Sequence, residues 1–302
     1  MTNVIDPAVT VGPVQLRVQD ISRAAAYYEN VIGLRILRRS SSAAVLGVPS
    51  DELPLVMLRE VEGSITPPRT FAGLYHFAVL LPDRVSLGAF TRHLHSIGER
   101  FGASDHSVSE ALYLTDPDGN GIEVYRDRPR TEWTYDSNGF VHMTVDPLHE
   151  QQLLQAGENT KWHGVPAGTV MGHVHLHVHD MEEAYRFYVE VLGLELAADP
   201  QKFPAFFVAA GGYHHHIGLN PWAGAQAPKA SIRNTGIDMY TLVLPSGQAL
   251  EPVAERLETA GYPFHREEHA FYVTDPSGIV VCLTVNSPNT VLSSEQVGQL
   301  TE

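Results

Sequence analysis

Residues 171–196, MGHVHLHVHDMEEAYRFYVEVLGLEL, repeat without a gap the pattern of residues 11–36, VGPVQLRVQDISRAAAYYENVIGLRI. In both stretches apolar residues fall at every second position (Val14, Leu16, Val18; Val174, Leu176, Val178), the period of a strand with one face on a core. Asp20 or Asp180 then stands where a helix N-cap accepts backbone N–H groups, ahead of a segment carrying Tyr27 and Tyr28, or Phe187 and Tyr188. Gly33 and Gly193 fall where a helix ends in a left-handed residue. A second pair of segments starts at GLYHFAVLLPD from Gly73 and GIDMYTLVLPS from Gly236. Each leads through a helix to LTDPDGNGIEV or VTDPSGIVVCL, where Asp-Pro-x-Gly makes a tight turn between two strands. Four copies of one unit are therefore expected, each a strand, a helix and several antiparallel strands. Their bounds are 8–66, 67–128, 168–222 and 232–287, with a connector over 129–167 and a tail over 288–302.

The chain has 302 residues, 43% of them apolar, enough for two ordinary cores. A formal charge of −15 disfavours nucleic acid and anionic membranes as partners, since both would repel it. Small molecules or other proteins remain. The single cysteine, Cys282, cannot close an intrachain disulfide, and there is neither an apolar amino-terminal leader nor a run of about 20 apolar residues. The cytoplasm is the expected compartment. Sixteen histidines are the unusual feature of the composition.

Glycine-histidine-valine strands, paired βαβββ units and a closing Asp-Pro-x-Gly-x-x-x-Glu strand resemble the vicinal oxygen chelate superfamily. Four units in about 300 residues look most like its type I extradiol ring-cleaving dioxygenases, and MGHVHLHVHD with GGYHHHIGLN is similar to the bacterial catechol-2,3-dioxygenase branch. The resemblance covers nearly all of residues 8–287. It implies an α+β fold in which four βαβββ modules form two half-open, mixed-sheet barrels, with helices outside and a metal inside.

The period-2 rule puts His173, His175, His177 and His179 on one face, opposite the valines and leucine that pack under helices. Register against the other copies narrows this set. The first-strand position that carries a ligand in the superfamily is Pro13, His76, His173 and Met239 in copies one to four, and the carboxylate position after the turn is Glu123 in copy two and Cys282 in copy four. Pairing copies in sequence order leaves neither barrel complete. Crossing the pairs joins copies two and three, and His76, Glu123 and His173 then form a two-histidine, one-carboxylate set, within one chain or across a dimer. Such a set suits Fe(II), with Mn(II) as a substitute, because three ligands on one octahedral face leave three positions open.

The resemblance also implies neighbours for this set. Matching HHIGL to the family favours His215 over His216 as the acid–base residue, with His214 and His216 on a strand and turned away; Tyr113 is implied as a hydrogen bonder to substrate and His106 as a contact to substrate or oxygen. His175 is expected to line the pocket. The loops from Ser64 and Asn220 are expected to border the entrance, with Trp222 and Arg233 within reach of substrate. The implied function is an Fe(II)-dependent extradiol dioxygenase acting on a small aromatic diol and O₂, expected as a homo-oligomer. The competing readings on the same scaffold are a glyoxalase-like isomerase or lyase and a non-catalytic drug-binding protein. A glyoxalase would want another carboxylate on the last strand of copy three, which GGYHHHIGLN lacks.

Overall fold

The computed structural model describes residues 4–288 and 290–301. The first repeat contains β1 (Thr10–Val18), α1 (Ile21–Tyr27), β2 (Arg35–Arg39), β3 (Ala43–Gly47) and β4 (Pro54–Glu60). The second contains β5 (Gly73–Leu80), α2 (Arg84–Ile97), β6 (Gly102–Asp105), β7 (Ser109–Thr115) and β8 (Gly121–Asp127). A connector with the short helix α3 (Glu150–Ala156) precedes β9 (Val170–His177), α4 (Met181–Tyr185), β10 (Glu195–Leu196), β11 (Phe206–Ala209) and β12 (Ile217–Asn220). The last repeat has β13 (Gly236–Val243), α5 (Gly247–Ala260), β14 (Phe264–Arg266), β15 (Ala270–Thr274) and β16 (Val280–Thr284), and α6 (Ser294–Thr301) follows it. No helix among the described residues is long and apolar enough to cross a membrane.

The repeats pair by crossing. One eight-stranded sheet has the order β14-β15-β16-β13-β1-β4-β3-β2 and joins the first and fourth repeats; the other, β10-β11-β12-β9-β5-β8-β7-β6, joins the second and third within the same chain. The central pairs, β1 with β13 and β5 with β9, are antiparallel, whereas β1–β4, β5–β8, β9–β12 and β13–β16 are parallel, so both sheets are mixed.

The local signals explain the elements. Asp20 accepts hydrogen bonds from Ser22 and Arg23 backbone N–H, and Asp180 from those of Glu182 and Glu183, which satisfies donors that a helix start leaves free. Both helices run on into wider π-type turns, Tyr28–Ile32 and Arg186–Val191, before Gly33 (φ 85°) and Gly193 (φ 83°) turn the chain into the next strand. The alternating apolar residues bury as expected: Val14, Leu16, Phe77, Val79, Val174 and Leu176 join one core with Leu87, Phe90, Phe187 and Leu257 from the helices.

Two buried tyrosine–aspartate pairs brace one sheet to the other. Tyr28, in the first repeat, donates to Asp116 in the turn of the second at 2.8 Å; Tyr188, in the third, donates to Asp275 in the turn of the fourth at 2.7 Å. Each aspartate also closes its own turn, Asp116 accepting from the Asp118 and Asn120 N–H groups and Asp275 from those of Ser277 and Ile279. The Asp-Pro-x-Gly signature thus shapes a hairpin and docks the neighbouring repeat.

The two faces turned away from the helices differ. On the first sheet, Asp238 pairs with Arg17 at 2.6 Å and Arg59 at 2.8 Å, beside buried Met57, Met239 and Cys282. The C-terminal segment covers this face: Leu292 exchanges hydrogen bonds with Gln15, Arg59 donates to Ser294, and the buried Val297 packs down from α6. The equivalent face of the second sheet carries histidines.

Candidate metal centre and active site

Three side chains from three strands of the second sheet converge. His76 on β5 places Nε2 3.0 Å from Glu123 Oε2 on β8, and His173 on β9 places Nε2 3.2 Å from the same oxygen. All three residues are buried, and their ligating atoms lie within 4.8 Å of one another. Strand register produces the convergence, but two irregularities aim it. Tyr75 is an extra residue in β5 between the pairs Leu74–Leu176 and His76–His175, and Gly172 is an extra residue in β9 between Met171–Val79 and His173–Ala78. Such bulges redirect the side chains beside them, and here each adjoins one histidine of the cluster. Gly172 is further required by packing, since a Cβ there would sit 1.8 Å from the Tyr125 hydroxyl oxygen.

Burial would push the Glu123 carboxyl up, yet the facing His173 and His76 rings outweigh it and hold the group well below the ordinary carboxylate range. Burial brings His173 down to about 4, against the pull of Glu123. An ionised carboxylate and a neutral imidazole are the forms that bind a metal. The donor set fits one. Neighbouring ligands about 2.1 Å from an octahedral ion are about 3.0 Å apart, and around a tetrahedral ion about 3.4 Å apart, a range that holds both measured separations. His76 Nε2 and His173 Nδ1 are buried without a hydrogen-bond partner, although His76 Nε2 lies so near Glu123; a cation would satisfy the first.

The neighbouring residues divide. His215 is buried, its ring centroid 4.1 Å from that of His173, and burial followed by its histidine neighbours takes its basicity well below the ordinary range. Tyr113 pairs with Glu123 across β7 and β8, and its hydroxyl lies 2.6 Å from His106 Nε2. The other nitrogen of His106 is 2.7 Å from the Thr144 carbonyl, which can only accept, so Nδ1 carries hydrogen, and the Tyr113 hydroxyl also meets the Glu123 carboxylate. His175 is buried against Tyr75, His76, Phe207 and Trp222 with Nε2 unpartnered. His177 bonds Asn220, and His179, beyond the end of β9, bonds the Ala227 carbonyl.

Residues 214–216 depart from expectation. They precede β12, which begins at Ile217, so strand alternation does not govern them. His214 is not turned away: its Nδ1 lies 2.8 Å from His215 Nδ1 and its Nε2 3.0 Å from Asp127 Oδ1. His216 does face elsewhere, accepting the Ala210 N–H at Nδ1 and lining a separate cavity with Pro54, Met171 and Arg130. Asp127, Tyr75 and Phe207 are neighbours of the cluster that sequence reading missed. Asp127 lies four residues beyond Glu123 on β8, on the same side of the strand by period 2, and that spacing was the available signal.

A cavity of about 620 Å³ reaches the cluster at His76 and Tyr113, with Tyr75 and His177 on its wall. Its lining includes Thr66–Arg69, Phe71, Ala72 and Lys229–Ile232, parts of the two loops expected at the entrance. Trp222 sits over Tyr75 and His175, whereas Arg233 is outside the lining and bonds Ile65 through its carbonyl.

The model of the Glyoxalase/Bleomycin resistance protein/Dioxygenase superfamily matches residues 10–124 and 170–283, both halves of the repeat array. The chain belongs to this superfamily. Among superfamily proteins, the catechol-2,3-dioxygenase of Bacillus subtilis (strain 168) is 42% identical over 276 residues, covering 91% of this chain and 97% of the relative. Glyoxalase I from Zea mays shares the fold at a TM-score of 0.53 and 18% identity, over 92% of each chain. The cppA protein from Streptococcus pneumoniae TIGR4 does so at 0.56 and 11%, over 93% of this chain and 98% of the other. At those identities the structural likeness establishes the shared fold alone.

Proposed function

We propose that this chain is an Fe(II)-dependent extradiol dioxygenase, which opens the ring of a catechol-type substrate beside its two hydroxyls and incorporates both atoms of O₂. The observation that carries the reading is the buried His76–Glu123–His173 cluster, whose His76 lines a cavity, in a chain 42% identical over 276 residues to a catechol-2,3-dioxygenase. Structural Zn(II) is disfavoured, since it wants a closed tetrahedral shell, usually with thiolates.

His76, Glu123 and His173 would hold the ion, with Glu123 bringing one negative charge to it. Fe(II), when bound, supplies the one-electron chemistry that lets a closed-shell aromatic react with O₂. The protein supplies position and protons. His215, neutral in its buried setting, accepts a proton from a substrate hydroxyl and can return it later as a general acid. The Tyr113 hydroxyl, beside His106 and lining the cavity, would hydrogen-bond a substrate oxygen there. The His175 and Tyr75 rings pack against His76 and hold its orientation.

The deciding experiment is anaerobic reconstitution with Fe(II), followed by a panel of catechols under ¹⁸O₂. One O₂ consumed per ring, a yellow ring-opened product and two labelled oxygens are expected. Absence of O₂ uptake across the panel refutes the assignment.

A further inference from the structure

We infer that Asp127 and His214 form a positioning pair that fixes which nitrogen of His215 carries hydrogen, so that His215 presents an unprotonated Nε2 to the reacting centre. The inference rests on the proposed acid–base role of His215 but makes a claim that can be checked without turnover.

The chain of contacts runs in one direction. An Asp127 carboxylate can only accept, so the 3.0 Å contact from its Oδ1 to His214 Nε2 places hydrogen on that nitrogen. We assign His214 the form with hydrogen at Nε2 alone, which leaves a lone pair at Nδ1. Its 2.8 Å contact to His215 Nδ1 needs one hydrogen between two ring nitrogens, which must come from His215. His215 therefore carries hydrogen at Nδ1, the nitrogen that meets His214, and a lone pair at Nε2. When Nε2 takes a proton, Nδ1–H stays in place and the new positive charge faces His214, backed by the Asp127 carboxylate. No oxidant or further reactant enters.

The surroundings hold this arrangement. Tyr213 donates to Asp127 Oδ2 at 2.9 Å and contacts Tyr125 at 2.7 Å, which fixes the carboxylate plane. Rings of Trp133, Tyr213 and Tyr125 pack around His214, which is itself buried. Asp127 is 22% exposed, so the outer end of the chain meets solvent while its inner end does not. These contacts also give a reason for adjacent inward histidines in a segment that is not a strand.

The test uses full-length protein labelled with ¹⁵N-histidine, metal-free and loaded with diamagnetic Zn(II), and reads two-bond ¹H–¹⁵N correlations that distinguish the two neutral imidazole forms. His215 is assigned by loss of its signals in His215→Gln. Hydrogen at His215 Nδ1 is expected. In Asp127→Asn the amide oxygen can take the Tyr213 hydroxyl and its NH₂ then faces His214, so both rings should invert. His214→Gln can donate to Asp127 and still accept from His215, and should keep the wild-type form; His214→Phe should not. In Fe(II)-loaded enzyme, Asp127→Asn and His214→Phe should lower kcat by about 10²-fold, the lower end for a positioned acid–base group, with KM and iron content little changed. His214→Gln should restore most of what His214→Phe loses. The near-isosteric Asn variant keeps the test valid if the Phe variant fails to fold. Hydrogen at His215 Nε2 in the wild type, or a His215 pattern indifferent to Asp127→Asn, overturns the inference. Expected tautomers in a protein that consumes no O₂ would overturn the dioxygenase reading instead.

Discussion

Replacing Glu123 by Gln keeps the volume of the side chain and removes its charge, at a site 3% exposed where His76 and His173 both face the same oxygen. If these three residues hold a divalent ion, added metal stabilises the fold by RT ln(1 + [M]/Kd). At a free concentration 100 times Kd this is about 2.7 kcal/mol. For a chain of this size, with about 2–4 °C of melting temperature per kcal/mol, the wild type should gain roughly 5–11 °C on saturation with Mn(II), which is convenient because it does not oxidise in air. Loss of the only anionic ligand that weakens binding about 100-fold leaves RT ln 2, about 0.4 kcal/mol, and a shift of at most about 2 °C. The assay is a thermal melt monitored by circular dichroism with and without metal, each variant serving as its own baseline. His76→Ala should behave like Glu123→Gln. Met239→Ala is the control, since Met239 occupies the corresponding strand position on the other sheet, packed with Cys282 and Val280. A full metal-induced shift in Glu123→Gln, or its loss in Met239→Ala, would refute the assignment of the ion to the second and third repeats.

The braces between sheets give two further tests. Tyr28→Phe leaves the buried Asp116 without one donor and should cost about 1–3 kcal/mol in denaturant unfolding; coupling near zero in a double-mutant cycle with Asp116→Asn would show that the bond contributes nothing. Asp275, raised to about 6 by burial, keeps its proton in the folded state at pH values where the unfolded chain has lost it. Its contribution is greatest below about pH 4, falls by about 3 kcal/mol as the pH rises to about 6 and is flat above; Asp275→Asn should remove that slope, and an unchanged slope would place it elsewhere. Tyr113→Phe should retain the Mn(II)-induced shift while lowering turnover of a catechol, and equal turnover would mean that its hydroxyl does not touch the reacting molecule.

Periodicity carried the reading of the sequence a long way. Val14, Leu16 and Val18 against Val174, Leu176 and Val178 identify equivalent strands, and the crossed pairing of repeats follows once donor positions are compared: Glu123 and His76 have no counterparts in the fourth repeat, where Cys282 and Met239 stand instead. The sheets pair in that crossed order. What escaped the reading was non-periodic. The extra residues Tyr75 and Gly172 break the two-residue repeat beside His76 and His173, and nothing in a one-dimensional pattern marks where a strand gains a residue. Reading His214, His215 and His216 as a strand assigned them to alternate faces; because the strand starts only at Ile217, His214 and His215 can meet nitrogen to nitrogen. The closure of the first sheet by α6 was equally hidden, since a tail carries no repeat against which to read it.

The contrast between the two inner faces accounts for one cluster where the repeat pattern offers two places. On the first sheet a carboxylate is present, Asp238, but Arg17 and Arg59 neutralise it, and neither guanidinium can give a lone pair to an ion. Burial holds the Cys282 thiol up to about 12, so it offers no thiolate, and the C-terminal segment occupies the space in front. On the second sheet the facing groups of Glu123 are imidazoles, which neutralise nothing when unprotonated and retain a lone pair each. The same backbone thus closes one face with fixed cations and leaves the other with unsatisfied nitrogen donors around a single negative charge. That difference in side-chain chemistry, rather than any difference in strand topology, makes His76, Glu123 and His173 the set that could hold a divalent ion.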